Sequence, residues 1–337
     1  VPSKALIRSA KAADTLRHAN RYGLESVPVK GSFKTIMNRV KDVIAKVEPH
    51  DSPERYRKLG VDCIAGEASF VSPWELEVRH NDGRTERLTA RSIVVATGGK
   101  PAVPPIPGLN DMQPLTSDNL WELEEQPERL LVLGGGPIGS ELAHAFARLG
   151  SKVTQVEMGE RILAREDEDV SELVLKQFQA DGVDVRLKHS AAEFRIEEGE
   201  KVAYCEHEGE RIRIPFDQVL VAVGRAANTA GLNLERIGVD TLPNGTVPVE
   251  EDMSLRYPNV FACGDVAGPY QFTHAAAHQA WYAAVNGLFG QFKRFKVDYR
   301  VMPWVTFTSP EVARVGLSEA EAKAQGVAYE VTRYGID

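Results

Sequence analysis

The sequence predicts an α/β protein of at least two domains, on three observations. In the stretch from Arg129 to Glu157 an apolar strand, a glycine-rich turn, an amphipathic helix and a second strand follow one another. Short apolar runs that stop at glycine recur elsewhere, at Ser92–Gly99, Gln218–Gly224 and Asn259–Asp265. The length, 337 residues, exceeds what a single hydrophobic core usually serves.

The 129–157 stretch is the most informative. Leu130, Leu131, Val132 and Leu133 have the composition of a buried parallel strand. Gly134, Gly136 and Gly139 follow in G-x-G-x-x-G spacing, with Pro137 and Ile138 opening a helix. Those glycines provide a tight turn, close backbone approach to a pyrophosphate, and close packing of helix on strand. Ile138, Leu142, Ala145, Phe146 and Leu149 recur at helical spacing up to Gly150, and the helix start points its amides at phosphate. A second strand, Val153–Val156, ends on Glu157, where a carboxylate accepts from a ribose hydroxyl. The combination predicts dinucleotide binding, which a tight turn alone would not.

The bulk numbers narrow the rest. Hydrophobic content of 43% and charged content of 26% are those of a globular protein. The net charge of -8 argues against nucleic acid and anionic membrane surfaces as partners. No apolar run reaches the roughly 18 residues of a membrane span, and the basic N-terminal stretch lacks the apolar core of a signal peptide. Cys63, Cys205 and Cys263 are far apart in sequence. They read as buried thiols in a reducing compartment, so a cytoplasmic location is expected and no metal site.

In chain order, residues 1–22 read as a helix, with Ala5, Leu6, Ala13 and Leu16 available for one face and Gly23 as the stop. A second helix covers 32–47, its stripe of Phe33, Ile36, Met37, Val40, Val43, Ile44 and Val47 read as core. From 61 to 95 the period becomes two, with strands expected at 62–64, 76–79, 86–89 and 92–95. Residues 100–107 hold four prolines and are expected to be an irregular connector. After Glu157 come a helix at 167–180, a strand at 183–187, a meander over 192–196, 202–207 and 211–214, and a returning strand at 218–223. One nucleotide domain is therefore expected over 127–244. A strand at 259–265, a long helix at 273–288 and a further unit from 301 complete the reading.

Five motifs then converge in order and spacing: VPSKAL from Val1, IVVATGGKPAVPPIPG from Ile93, GGGPIGSELA from Gly134, AVGRAANTAGLNLERIGV from Ala222 and NVFACGDVAG from Asn259. Together they resemble the class I pyridine nucleotide–disulfide oxidoreductases, the group of dihydrolipoamide dehydrogenase, glutathione reductase and mercuric reductase. TFTSPEVARVGLSEAEA resembles the start of that family's dimer-interface domain, and ACGDVAGPYQFTHAAAHQAWYAAVN is most similar to the mercuric-reductase-like branch.

The resemblance implies two Rossmann-like domains of the three-layer ββα kind, one for FAD and one for NAD(P), followed by the start of an α+β interface domain. It divides the chain into an incomplete FAD domain at 1–126 and 245–298, an NAD domain at 127–244, and a truncated dimerisation domain at 299–337. It also implies that the FAD fingerprint and a C-x-x-x-x-C redox pair lie before Val1 and a His–Glu acid/base pair beyond Asp337. The sequence then reads as an internal fragment, expected to be monomeric by itself, of a protein expected to be a homodimer.

Several site residues are implied in the same way. Lys4 and Glu141 form a catalytic pair beside the flavin N5 and the nicotinamide. Asp265, after Gly264, binds the FAD ribityl chain. Phe272, Thr273, His274 and Ala275 open a helix whose amides face the flavin pyrimidine, His274 being structural and no base. Thr97 and Gly98 meet FAD through backbone, as does Ala68 near the adenine. Gly224 and Arg225 approach the nicotinamide half, with Ala227 replacing the family's usual proline. The implied reaction is hydride transfer from NADH to FAD and on to a cysteine pair, a disulfide or a metal ion being the acceptor. Glu157 favours NADH over NADPH. Dihydrolipoamide dehydrogenase, and a nucleotide-binding module without turnover, are the alternatives.

Overall fold

The structure is a computed structural model and describes residues 2–335; Val1 of the VPSKAL motif lies outside them. In chain order the elements are α1 (Pro2–Arg17), α2 (Phe33–Val47), α3 (Pro53–Lys58), β1 (Gly66–Ser72), β2 (Glu75–His80), β3 (Thr85–Thr89), β4 (Ile93–Val95), β5 (Gly99–Pro101), β6 (Arg129–Leu133), α4 (Pro137–Leu149), β7 (Lys152–Glu157), α5 (Glu168–Ala180), β8 (Asp184–Leu187), β9 (Ser190–Glu197), β10 (Glu200–His207), β11 (Glu210–Phe216), β12 (Gln218–Val221), β13 (Arg225–Ala227), β14 (Val260–Ala262), α6 (Thr273–Phe289), β15 (Pro303–Thr306), β16 (Val312–Val315) and α7 (Glu319–Ala324).

These elements fall into two compact units. One holds residues up to Val43, Val103–Val223 and Arg300 onward. Its centre is a parallel sheet in the order β12-β6-β7-β8. β6 is central and apolar because it is covered on both faces; Leu130 to Leu133 are all buried. The meander β9–β10–β11 packs beside it and contributes Phe194, Ala203, Cys205, Ile214 and Phe216 to a shared core with Leu131, Leu133 and Val156. Leu109 and Met112, which precede β6, belong to the same core. Helix α1 packs on α4 and buries Ala5, Leu6, Ala10 and Ala13, while Leu16 is exposed.

The other unit comprises Ile44–Ala102 and Gly224–Tyr299. It contains the antiparallel sheet β1-β2-β3, the parallel pair β4–β14 under α6, and the antiparallel pair β5–β13. Its core includes Phe70, Ile93, Val95, Val260, Phe261, Ala262 and Ala283.

The structure departs from the sequence reading at several places. The strand expected at 62–64 does not form. β2 ends at His80 opposite Gly66, so residues before Gly66 have no ladder to join, and Cys63 is half-buried instead of core. The connector at 100–107 is not wholly irregular, because Gly99–Pro101 pairs with Arg225–Ala227. In α2 the buried residues are Phe33, Met37 and Val40, a narrower stripe than the spacing suggests. The residues up to Val43 and residues 103–126 group with the parallel sheet and not with 245–298 as expected, and residues 224–244 group with the other unit. Leu109 and Met112 fill the first core, and β13 finds its partner in β5.

Candidate functional site

The glycine-rich turn between β6 and α4 is built by close backbone packing. Gly134 has φ +107, and a Cβ there would stand 2.4 Å from the Ala222 carbonyl oxygen. A Cβ on Gly139 would stand 2.2 Å from the Gly134 carbonyl oxygen. Gly136, by contrast, has nothing within 4 Å of where a Cβ would be. It precedes Pro137 at the start of α4, and the helix has no side-chain N-cap. An open backbone face and uncapped amides suit a pyrophosphate. Ile138 follows on the first turn, half-buried.

Beneath the turn, the fully buried Gln155 donates from Nε2 to the Gly134 carbonyl at 3.0 Å. At the end of β7, Glu157 accepts from Gly135 N–H at 2.5 Å and from Gly159 N–H at 2.7 Å. Its carboxylate is therefore fixed by backbone at the lip of the turn, with lone pairs left for a ribose hydroxyl. Arg161 in the following loop donates to the Ala164 carbonyl at 3.2 Å.

Lys4 and Glu141 meet. Lys4 Nζ lies 2.7 Å from Glu141 Oε2, with side-chain exposures of 45% and 6%. Lys4 is in the first turn of α1, and Glu141 begins the second turn of α4, so the packing of those two helices brings the charges together. The other Glu141 oxygen, Oε1, accepts from Phe307 N–H at 2.9 Å. The buried carboxylate thus has a cation on one oxygen and a backbone amide on the other.

In the second unit, Arg225 donates from Nε to Asp265 Oδ2 at 2.9 Å and from Nη2 to the Gly99 carbonyl at 2.6 Å. Gly224 has φ +144, and its carbonyl accepts from Ala102 N–H at 3.0 Å. Thr97 Oγ1 donates to the Asn228 carbonyl at 2.7 Å, and Asn228 returns a side-chain hydrogen bond to the Thr97 carbonyl at 2.9 Å. Gly98 has φ +67 with open space where a Cβ would be. The segment 97–99, Arg225 and Asp265 thus form one cluster.

Asp265 follows Gly264, whose φ is +80 and whose N–H donates to the buried Gln279 Oε1 at 2.7 Å. Gln279 Nε2 donates in turn to the Gly268 carbonyl at 2.7 Å and the Tyr299 hydroxyl at 2.8 Å. One fully buried amide therefore braces both ends of the turn that carries Asp265. Helix α6 begins at Thr273 with Phe272 as N-cap and no side-chain cap. Ala275 is buried. The His274 ring stacks on Phe272 with centroids 5.4 Å apart. Ala68 stands on β1, exposed and on a different sheet.

Sequence reasoning did not single out Gln279 or Phe307. The signal for Gln279 was available: it shares the buried face of α6 with Ala275 and Ala283, and a polar residue on an apolar stripe calls for a partner. Cys205 and Cys263 are buried thiols whose burial raises their pKa, that of Cys205 to about 11.

Comparison with known proteins bears on the whole arrangement. The family model for pyridine nucleotide-disulphide oxidoreductase matches residues 1–280, and the dimerisation domain of the same family matches 302–337. The chain belongs to the pyridine nucleotide-disulphide oxidoreductase family. Among members of the family, a mercuric reductase of Staphylococcus aureus is 34% identical over 328 residues, 97% of this chain and 58% of that protein. A dihydrolipoyl dehydrogenase of Chlamydia muridarum is 32% identical over 345 residues, 99% of this chain and 70% of that protein. The solved structure of the HOCl-induced flavoprotein disulfide reductase RclA from Escherichia coli superposes with a TM-score of 0.80 at 28% identity, covering 96% of this chain and 69% of that one. The chain thus spans 58% of the length of the first relative. Among the described residues no helix is long and apolar enough to cross a membrane.

Proposed function

We propose that the chain is the nucleotide-binding part of an FAD-dependent NADH oxidoreductase that passes electrons to a cysteine pair and then to a disulfide or a metal ion. FAD, when bound, supplies the two-electron acceptor for a nicotinamide hydride. The chain's own residues bind and orient. Gly134, Gly136 and Gly139, with the first amides of α4, would hold the pyridine-nucleotide pyrophosphate. Thr97, Gly98, Asp265 and the start of α6 would hold FAD, with Ala68 near its adenine. In the assembled protein the segment from 299 onward would serve a homodimer.

The observation that carries this reading is the Lys4–Glu141 pair at 2.7 Å. A cation anchored by a nearly buried carboxylate, on the helix that leaves the dinucleotide turn, suits a site where negative charge grows on a reduced ring. Replacing Glu141 by Gln in FAD-loaded protein is expected to slow flavin reduction by NADH at least tenfold. An unchanged rate would refute the assignment.

Glu157 favours NADH. Its charge is pinned by two amides, and Arg161 is turned back on its own loop. A 2′-phosphate about 4 Å away would meet a repulsion of about 4 kcal/mol at an effective dielectric near 20; even half of that is more than tenfold in affinity. Titrating both cofactors tests this, and NADPH binding as tight as NADH would overturn it. A second reading, nucleotide binding without turnover, draws support from the burial of Cys205 and Cys263, which suits neither for thiolate chemistry.

A further inference from the structure

We infer that Phe307 is a positioning residue for the Lys4–Glu141 pair, an inference that rests on reading that pair as the one acting in hydride transfer. Two contacts converge on this residue. Its N–H donates to Glu141 Oε1 at 2.9 Å, and its ring lies under the Lys4 ammonium, 4.5 Å from Nζ to the centroid. Each Glu141 oxygen thus has its own donor, which fixes the plane of the carboxylate. Lys4 is the looser partner. Its side chain is 45% exposed, and an ion pair with so much solvent around it does little by itself to select one lysine rotamer. The face of an aromatic ring attracts the ammonium from the other side and confines it between ring and carboxylate.

The segment that carries the ring is itself held. Phe307 follows β15 between the buried Thr306 and Thr308, and Thr308 Oγ1 donates to the Pro310 carbonyl at 2.7 Å. Earlier on the same strand Trp304 Nε1 donates to the buried Glu166 at 2.8 Å. The Arg314 guanidinium covers the Trp304 ring at 4.5 Å and donates to the Arg165 carbonyl at 2.8 Å. The hairpin β15–β16 is therefore anchored on the loop before α5 while its tip reaches the pair. It lies in the segment matched by the family's dimerisation domain, so a part of the chain outside the nucleotide fold sets the geometry of the pair.

The test compares Phe307→Leu, which keeps the N–H and removes the ring's charge distribution, with Phe307→Tyr, which keeps both. Lysines are reductively dimethylated with 13C, and the Lys4 signal is identified by its loss in Lys4→Arg. It is expected upfield in the parent and in Phe307→Tyr, and to move to the position of an exposed lysine in Phe307→Leu. In FAD-loaded protein, flavin reduction by NADH is expected to slow about three- to tenfold in Phe307→Leu with unchanged KM, and to stay within about twofold in Phe307→Tyr. A Lys4 signal that Phe307→Leu leaves in place would overturn the inference. So would unchanged reduction in Phe307→Leu where Glu141→Gln is slow. If Glu141→Gln is also unchanged, the reading of the pair itself falls, and the inference with it.

Discussion

The three glycines of the turn after β6 carry one spacing and two different functions. Gly134 and Gly139 are packed against backbone, whereas Gly136 opens onto empty space. Gly139→Ala is therefore expected to cost about 2–4 kcal/mol of stability, since a methyl 2.2 Å from a carbonyl oxygen must displace backbone. Gly136 has φ -73 and ψ 179, angles alanine adopts freely. Gly136→Ala should leave urea unfolding within about 0.5 kcal/mol of the parent and weaken NADH binding at least tenfold, because its methyl would enter the space proposed for the pyrophosphate. The opposite pattern, an unstable Gly136→Ala that still binds, would reverse the assignment. The spacing and Glu157 were legible in the sequence because one short segment carries them. The amide partners of Glu157 and the ring beside Lys4 were not. A backbone N–H has no sequence signature, and Phe307 meets Glu141 across 166 residues.

Helices α1, α4 and α5 are joined by charges that no periodicity reveals. On the buried α4, His144 lies 2.6 Å and Arg148 2.9 Å from the same Asp181 oxygen, just past α5. Arg148 also reaches Asp14 of α1 at 3.5 Å, and Phe178 of α5 packs on the His144 ring at 4.6 Å. Burial and then the neighbouring Arg148 push the His144 imidazole below its ordinary value. Burial pushes Asp181 upward, but the hydrogen bonds from His144 and Arg148 outweigh it and hold the carboxyl below its ordinary range. In the unfolded chain a histidine titrates near 6.5. Below about that pH the unfolded state takes up a proton that the folded state refuses, so this contribution is present above about pH 6.5 and is lost as the pH falls toward the lower folded value. Asp181 acts in a separate window, its contribution being lost only below about pH 3.8. Urea unfolding at pH 7.5 and 5.5 should show a loss on acidification that His144→Gln diminishes; an equal loss in the variant would remove His144 as its source. Most elements were legible, because the βαβ pattern and the meander are written in local periodicity. The β5–β13 pair was not, since it joins a proline-rich connector to residues far along the chain.

For the molecule as a whole, boundaries are harder to read than elements, because the segments that complete a core come from either side of it. The parallel sheet looks self-sufficient from 127, yet Leu109 at 0% and Met112 at 2% exposure lie in its core. Leu115 also extends the sheet: its N–H donates to the Val219 carbonyl and its carbonyl accepts from Val221 N–H, both at 2.8 Å. Residues 103–126 thus fill the core and cover the edge of β12, which would otherwise present unpaired backbone. Residues 224–244 do neither for this sheet, since β13 pairs with β5 in the other unit. A fragment of residues 103–223 is therefore expected to be more stable than one of 127–244 by at least about 3–5 kcal/mol, the loss of two buried apolar side chains and a strand edge. Adding residues 224–244 to the longer fragment should change its urea midpoint little. Helix α1 is missing from both, so the exposed face of α4 cancels in the comparison. If the fragment of 127–244 unfolds as cooperatively and at as high a urea concentration as that of 103–223, then Leu109, Met112 and Leu115 are passengers, and the nucleotide-binding fold begins at β6 as its sequence pattern suggests.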